Sequence, residues 1–352
     1  MSRACIISIV MAGMLKFFSL PASSQRVYAG HSVLATGNWY KIKVQTSGIY
    51  RIDLPFLSTL GLNTGSLASN SIRIFGNGGW MLPEAGNGFK YDDLFENAIQ
   101  VVDGGDGILN GSDYIIFYAT GPHRWAKDSA NKSFNHEKHL YSEESYYYIS
   151  AGGTGKRVAA ASPAPAPNLT VTEFTTQYFF ELDTFNLLSS GRQWFGEEFS
   201  DAPGKVRNRN YTLSIPEITG KPALLPTKCL SRSFGASSRF TVRINNQPVI
   251  QADIFPVNNG PYDLYAREQL STAPFVPDQD NLTVNIDYTP GSFGSQGWLD
   301  WFEILARRNL SMNGVNQLLF RDWNSVGAGN SGEFIVSNAS AATQLWEITN
   351  PL

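Results

Sequence analysis

Along most of this chain apolar and polar residues alternate with a period of two, in short runs separated by Gly, Asn, Asp, Ser and Pro. That period belongs to half-buried strands. Residues 39–44 and 49–52 alternate on either side of Thr46-Ser47-Gly48, which predicts a hairpin. Residues 54–60 read as a short helix ended by Gly61. Residues 71–75, 98–102, 114–119 and 146–150 predict further strands, with 114–119 central among them. Residues 170–183, 211–215, 227–234, 239–244, 249–254, 281–288 and 297–305 continue the series, with Asn245-Asn246 as a tight turn. Residues 320–336 predict a last hairpin and 344–349 a final strand.

The pattern lapses at residues 151–169, where Ala, Gly, Ser and alternating Pro offer nothing to a core. An extended linker here divides the chain into a β-rich domain at 38–150 and a β-sandwich at 170–320. Residues 25–37 form a lead-in and 321–352 carry terminal strands. The fold class is all-β with minor helix. A domain rarely stops on Asn350-Pro351 directly after a strand, so further chain is expected beyond it.

Composition agrees with this. Aromatics make up 13% of 352 residues, with 32 Gly and 18 Pro, a β-and-turn composition. Only 16% of residues are charged and the net charge is −3, which gives no footprint for nucleic acid. At the N-terminus, Arg3 precedes an apolar run over 5–20, and Ala22-Ser23-Ser24 supplies small residues for cleavage before Gln25. Residues 1–24 therefore read as an export signal, and no later stretch is long and apolar enough to span a membrane as a helix. Loss of Cys5 with the signal leaves Cys229 alone, so no intrachain disulfide is available and the core must hold the fold.

Candidate chemistry is sparse. Cys229 lies in an alternating strand and reads as buried and inert. His136-Glu137-Lys138-His139 has no HExxH spacing, zinc would need a third ligand, and residues 132–141 read as a polar surface loop. His123 follows Pro122 at a strand end, and His31 lies in the lead-in. Asp103, Asp106 and Asp113 surround a Gly-rich turn whose oxygens suit calcium, with Asn110 able to add a carbonyl, although the EF-hand register is absent. The same residues are ordinary turn formers. Glu197 and Glu198 are adjacent on a strand, so they point to opposite faces and cannot flank one glycosidic bond. By alternation Trp298, Asp300 and Phe302 share one face and Trp301 and Glu303 the other, as sandwich core or as an aromatic binding surface. No phosphate-binding loop, dinucleotide fingerprint or nucleophile elbow is present.

Several stretches in order resemble one family: 38–42 with 48–52, 71–76, 113–118 with Gly121-Pro122 and Trp125, 191–199, 297–308 and 345–349. They are similar to the region upstream of the peptidase domain in the sortases of the bacterial type IX secretion system, which belong with the gingipain-like C25 cysteine peptidases. The resemblance covers roughly 38 to 350, and its motifs are specific only together. It implies an exported protein of a Bacteroidota-type cell, in the periplasm or at the outer-membrane surface. It implies partners among the attachment-complex proteins, a downstream peptidase domain, and secreted cargo whose C-terminal signals that domain processes. The family's catalytic His and Cys motifs have no counterpart in these residues, so no catalytic residue and no cofactor is carried over. The alternative is a free-standing secreted β-sandwich module that binds carbohydrate or protein.

Overall fold

The computed structural model describes residues 28–189 and 193–351. The export signal expected over 1–24, and Ser190, Gly191 and Arg192, lie outside the described residues.

The first half contains β1 (Tyr40–Val44), β2 (Gly48–Asp53), α1 (Leu54–Thr59), β3 (Leu67–Ala68), β4 (Ile72–Phe75), β5 (Glu96–Asn97), β6 (Ile99–Val102), β7 (Ile108–Leu109), β8 (Tyr114–Ala119), β9 (Arg124–Asp128), β10 (Ser133–Glu137) and β11 (Ser145–Ala151). A four-stranded sheet in the order β1-β11-β4-β5 and a three-stranded sheet in the order β2-β8-β6 share one core of Ile42, Val44, Ile52, Ile74, Ile99, Ile115, Phe117, Tyr147 and Ile149. As expected, β8 is the central strand of its sheet. The helix begins where the Asp53 carboxylate accepts the Phe56 N–H at 3.0 Å, a side-chain N-cap.

β1 and β2 do not form the expected hairpin. β1 pairs with β11 and β2 with β8, so residues 45–47 carry the chain from one sheet to the other. Alternation reports which face of a strand is buried and says nothing of which strand lies beside it. The crossing is held by Gly121, whose N–H donates to Ser47 Oγ at 3.0 Å. A Cβ on Gly121 would lie 2.8 Å from the Gln45 carbonyl oxygen, so only glycine admits this approach.

The second half contains β12 (Leu169–Val171), β13 (Glu173–Glu181), β14 (Glu198–Phe199), β15 (Asn208–Ser214), β16 (Ala223–Arg232), β17 (Ser238–Ile244), β18 (Gln247–Ile254), β19 (Arg267–Phe275), β20 (Asn281–Thr289), β21 (Gln296–Asn309) and β22 (Gly332–Phe334). Sheets in the orders β13-β21-β16-β19, with β14 also on β21, and β15-β20-β17-β18 face each other across a second core that includes Phe199, Leu225, Phe240, Val242, Val284, Ile286, Phe302 and Ile304. This is the expected sandwich. Asn245 and Asn246 both take positive φ at 48° and 68°, as a tight β17–β18 turn demands.

Two terminal expectations change. Within 320–336 only β22 is a strand, and it pairs in parallel with β12, so there is no hairpin. The Asp322 carboxylate is committed to Ser325 N–H and the Arg307 guanidinium, which turns the chain away from extended pairing. Residues 344–349 form no strand among the described residues; residues 344–348, with Asn350 and Pro351, line a cleft of about 810 Å³ against Ala98, Gln100, Tyr118 and residues 158–162. β19 was not anticipated, because it is a largely polar edge strand containing Pro274.

Candidate functional site

The most chemically dense region lies where β9 and β10 cross the outer face of the β13-β21-β16-β19 sheet. The two strands pair antiparallel from Ser133–Asp128 to Glu137–Arg124. Their turn is closed by Asp128, whose carboxylate accepts Ala130 N–H and Asn131 N–H, both at 3.1 Å. The expected polar loop over 132–141 is therefore in large part a strand. Phe134 is buried and His136 partly buried, while Asn135 between them is exposed. The alternation was present in the sequence, hidden by the polar residues that share it.

Aromatic stacking seats this arm. The His136 ring lies on Phe179 with centroids 3.7 Å apart, and Trp125 meets the same imidazole edge-on at 5.0 Å. Phe134 packs against Trp323 at 5.7 Å, and the Trp323 indole donates to the Ser133 carbonyl at 3.0 Å. Phe179 stands directly across from Glu303 in the β13–β21 ladder. The arm thus covers the face that carries Trp301 and Glu303.

Beneath it lies a buried set of ionisable groups. Glu303 is 4% exposed and accepts the His136 backbone N–H at 3.0 Å. Burial pushes its carboxyl up to about 7. Burial likewise pushes Glu181 up to about 7, although Lys138, 3.5 Å away, opposes this. Lys138 also pairs with Asp183. Burial, aided by the charges of His123 and Lys138, lowers His136 to about 4. The Lys228 ammonium lies 3.0 Å from Asp300 and 2.9 Å from Glu268, and burial raises the Asp300 carboxyl against the pull of Lys228.

A β-bulge makes this arrangement. On β21 the register against β16 slips between Lys228 and Cys229, so that Lys228 faces Trp301 while Cys229 faces Leu299, and Asp300 is the extra residue. The slip reverses the alternation. Leu299 and Phe302 both enter the core, whereas Trp298 joins a separate cluster with Phe195 and Leu230. The expected face of Trp298, Asp300 and Phe302 is therefore split, because alternation cannot register an inserted residue. Trp298 is 1% exposed and is core, not a displayed binding surface.

The remaining candidates are placed apart. Cys229 is in the sandwich core, where burial pushes its thiol well up and keeps it un-ionised. His123, His136 and His139 lie with the arm: His123 Nδ1 accepts His139 N–H at 2.9 Å, which puts the His123 proton on Nε2 facing Glu143 at 2.9 Å. Glu197 pairs with Arg209 at 3.4 Å, and Glu198 accepts the Ser200 hydroxyl at 2.6 Å. Asp103 accepts Gly105 N–H, Asp106 accepts Ile108 N–H and the Asn110 amide, and Asp113 accepts Asn110 N–H. Each acid closes its own turn. Among the described residues no three of His, Cys, Asp or Glu are grouped so as to hold a metal ion.

The arrangement is thus a packed junction between two β-rich bodies, with buried charge at its centre. Sequence reasoning missed Trp125, Phe134, Phe179, Glu181 and Trp323 as members of it; the alternation on either side of residues 129–132 was the available hairpin signal for the first two.

Neither a family profile nor a curated protein matches this sequence. Among solved structures, dimeric latent PorU from Porphyromonas gingivalis superimposes with a TM-score of 0.71 at 21% identity, over 88% of this chain and 28% of that one. The chain therefore has the fold of a part of PorU and spans little more than a quarter of its length. A family 36 carbohydrate-binding module in complex with calcium and xylotriose covers 37% of this chain with a TM-score of 0.23, and a family 35 module from Clostridium thermocellum covers 37% with 0.22. Those scores are too low to carry an argument.

Proposed function

We propose that this chain is the non-catalytic N-terminal scaffold and interaction region of a type IX secretion sortase-like cysteine peptidase. The observation that carries the reading is the shared fold with PorU over 88% of this chain but only 28% of that one. The order of family-like stretches in the sequence supports it independently. In this reading the chain is exported and stands in the periplasm or on the outer-membrane surface. It holds a C25-type peptidase domain and presents it to attachment-complex proteins and to cargo whose C-terminal signals are removed. The β9–β10 junction fits such a role, since it ties the two bodies into one platform through stacked rings and the ion pairs of Lys138 with Glu181 and Asp183. Cys229, buried with its thiol raised, supplies no nucleophile to the reading.

The test is genetic. Deleting codons 38–350 in the source cell, while keeping export and the peptidase domain, should leave secreted cargo with uncleaved C-terminal signals and release the peptidase from the outer-membrane fraction. Normal cargo processing with the peptidase still at the surface would reject the reading.

A further inference from the structure

The two ends of the sandwich differ sharply in what they show to solvent. At one end lie the segments that follow β13, β16, β18 and β20. These expose Leu188, Phe255, Leu264 and, fully, Tyr262 at 101% and Phe293 at 104%. Tyr262 and Phe293 come from separate connections, and Gly294 beside Phe293 takes φ 76° to form a tip. Full exposure of large apolar side chains on several loops of one end calls for a partner. Between these loops runs a groove of about 570 Å³ lined by Leu187, Phe195, Leu230, Phe255, Leu264 and Tyr265. The opposite end carries Glu217, Asp278 and Asp280 around the Asn245-Asn246 turn, with Arg308 beside Glu217 and Asp280 and Lys221 paired with Glu173.

Charge at the apolar end is arranged to match. Among the described residues its acids are matched internally: Asp201 with Arg207, Asp253 with Arg239, and Glu268 with Lys228. Asp263 accepts the Gly260 N–H at 2.8 Å and closes the turn that holds Tyr262. Two guanidinium groups bind carbonyls instead: Arg232 donates to Tyr265 O at 2.8 Å and Arg267 to Pro256 O at 3.1 Å. Both brace the loop between β18 and β19. Arg232 also lies over the rings of Phe234 and Tyr265, at 4.8 and 4.1 Å. Aromatic rings with cations at their base suit the boundary between acyl chains and anionic headgroups.

We propose that this loop end docks on an anionic lipid surface, with Tyr262, Phe293, Phe255 and Leu264 entering the headgroup layer and Arg232 and Arg267 facing the lipid phosphates. The inference stands on the surface alone and does not depend on the proposed function. A protein partner, including a second copy of this chain, is the competing occupant. Separate loop tips favour lipid over a partner that needs one packed patch.

Co-sedimentation of the exported chain with vesicles of phosphatidylethanolamine and phosphatidylglycerol tests it. Wild type should pellet with the vesicles, and the double variant Tyr262→Ser/Phe293→Ser should bind at least about tenfold more weakly. Both side chains are fully exposed, so an unchanged thermal melt should show that the variant is folded. Val276→Ser, at the opposite end, should bind as wild type does. No pelleting of wild type, or equal pelleting of the double variant, overturns the proposal. So does wild-type self-association in sedimentation velocity that the double variant abolishes without any vesicle binding.

Discussion

Glu303→Gln is the sharpest probe of the buried junction. Glu303 is 4% exposed, faces Phe179 across the ladder and accepts the His136 N–H at 3.0 Å. Burial raises its carboxyl from 4.5 to about 7. The sign follows from linkage: the folded state holds the proton more tightly than the unfolded one. The stabilisation is complete below about pH 4.5 and is lost as pH rises through about 7. At about 1.4 kcal/mol per pH unit the full effect is about 3 kcal/mol, of which about 2–3 kcal/mol falls between about pH 5 and about pH 8. Glutamine keeps the shape and the acceptor but cannot titrate. Its amide hydrogens need partners, which adds a nearly pH-independent penalty of about 1–3 kcal/mol. Urea unfolding of both proteins across that range, followed by tryptophan fluorescence, gives the difference in unfolding free energy at each pH. That difference should move in favour of Glu303→Gln by about 2–3 kcal/mol on going from acid to alkaline conditions, whatever its starting offset. A difference that stays flat with pH refutes the burial argument, and one that moves the other way refutes the sign.

Other consequences are simpler. Lys228→Ala leaves Asp300 buried beside Glu268 without its cation and should destabilise the fold by about 3–5 kcal/mol, measured by the same urea melts. The Cys229 thiol should be inert to an aromatic disulfide reagent in the native protein and react fully once unfolded; rapid native labelling would place it outside the core. The melting temperature should be the same with calcium or with chelator, because Asp103, Asp106 and Asp113 already serve as turn acceptors; a rise of several degrees with calcium would restore the metal reading.

Much of the fold was legible because two-residue alternation directly reports burial. It located β8, β11, β17, β18 and β20 to within a few residues, and Gly61 marked the end of the helix after Asp53. What it could not report were relations between distant segments. The β1–β2 pair looked like a hairpin because both strands alternate around a turn, yet their partners lie at β11 and β8. The bulge at Asp300 inverted a face assignment with no mark in the local pattern. The junction was the least legible part. Phe179, His136 and Trp323 come together from three distant stretches, and Glu303 is unusual only because the arm buries it. The acidic turn was ambiguous in a different way: its composition suits both calcium and turns, and its carboxylates accept hydrogen bonds within the turn.

The central claim is that this chain is a platform for a cysteine peptidase domain. Isothermal titration of the purified chain with the separately expressed C25-type domain from the same cell tests that most directly. Saturable one-to-one binding, with a Kd of about 10 µM or tighter and no peptidase activity from the chain alone, is the predicted result. No heat and no co-elution at about 100 µM of each partner would contradict it.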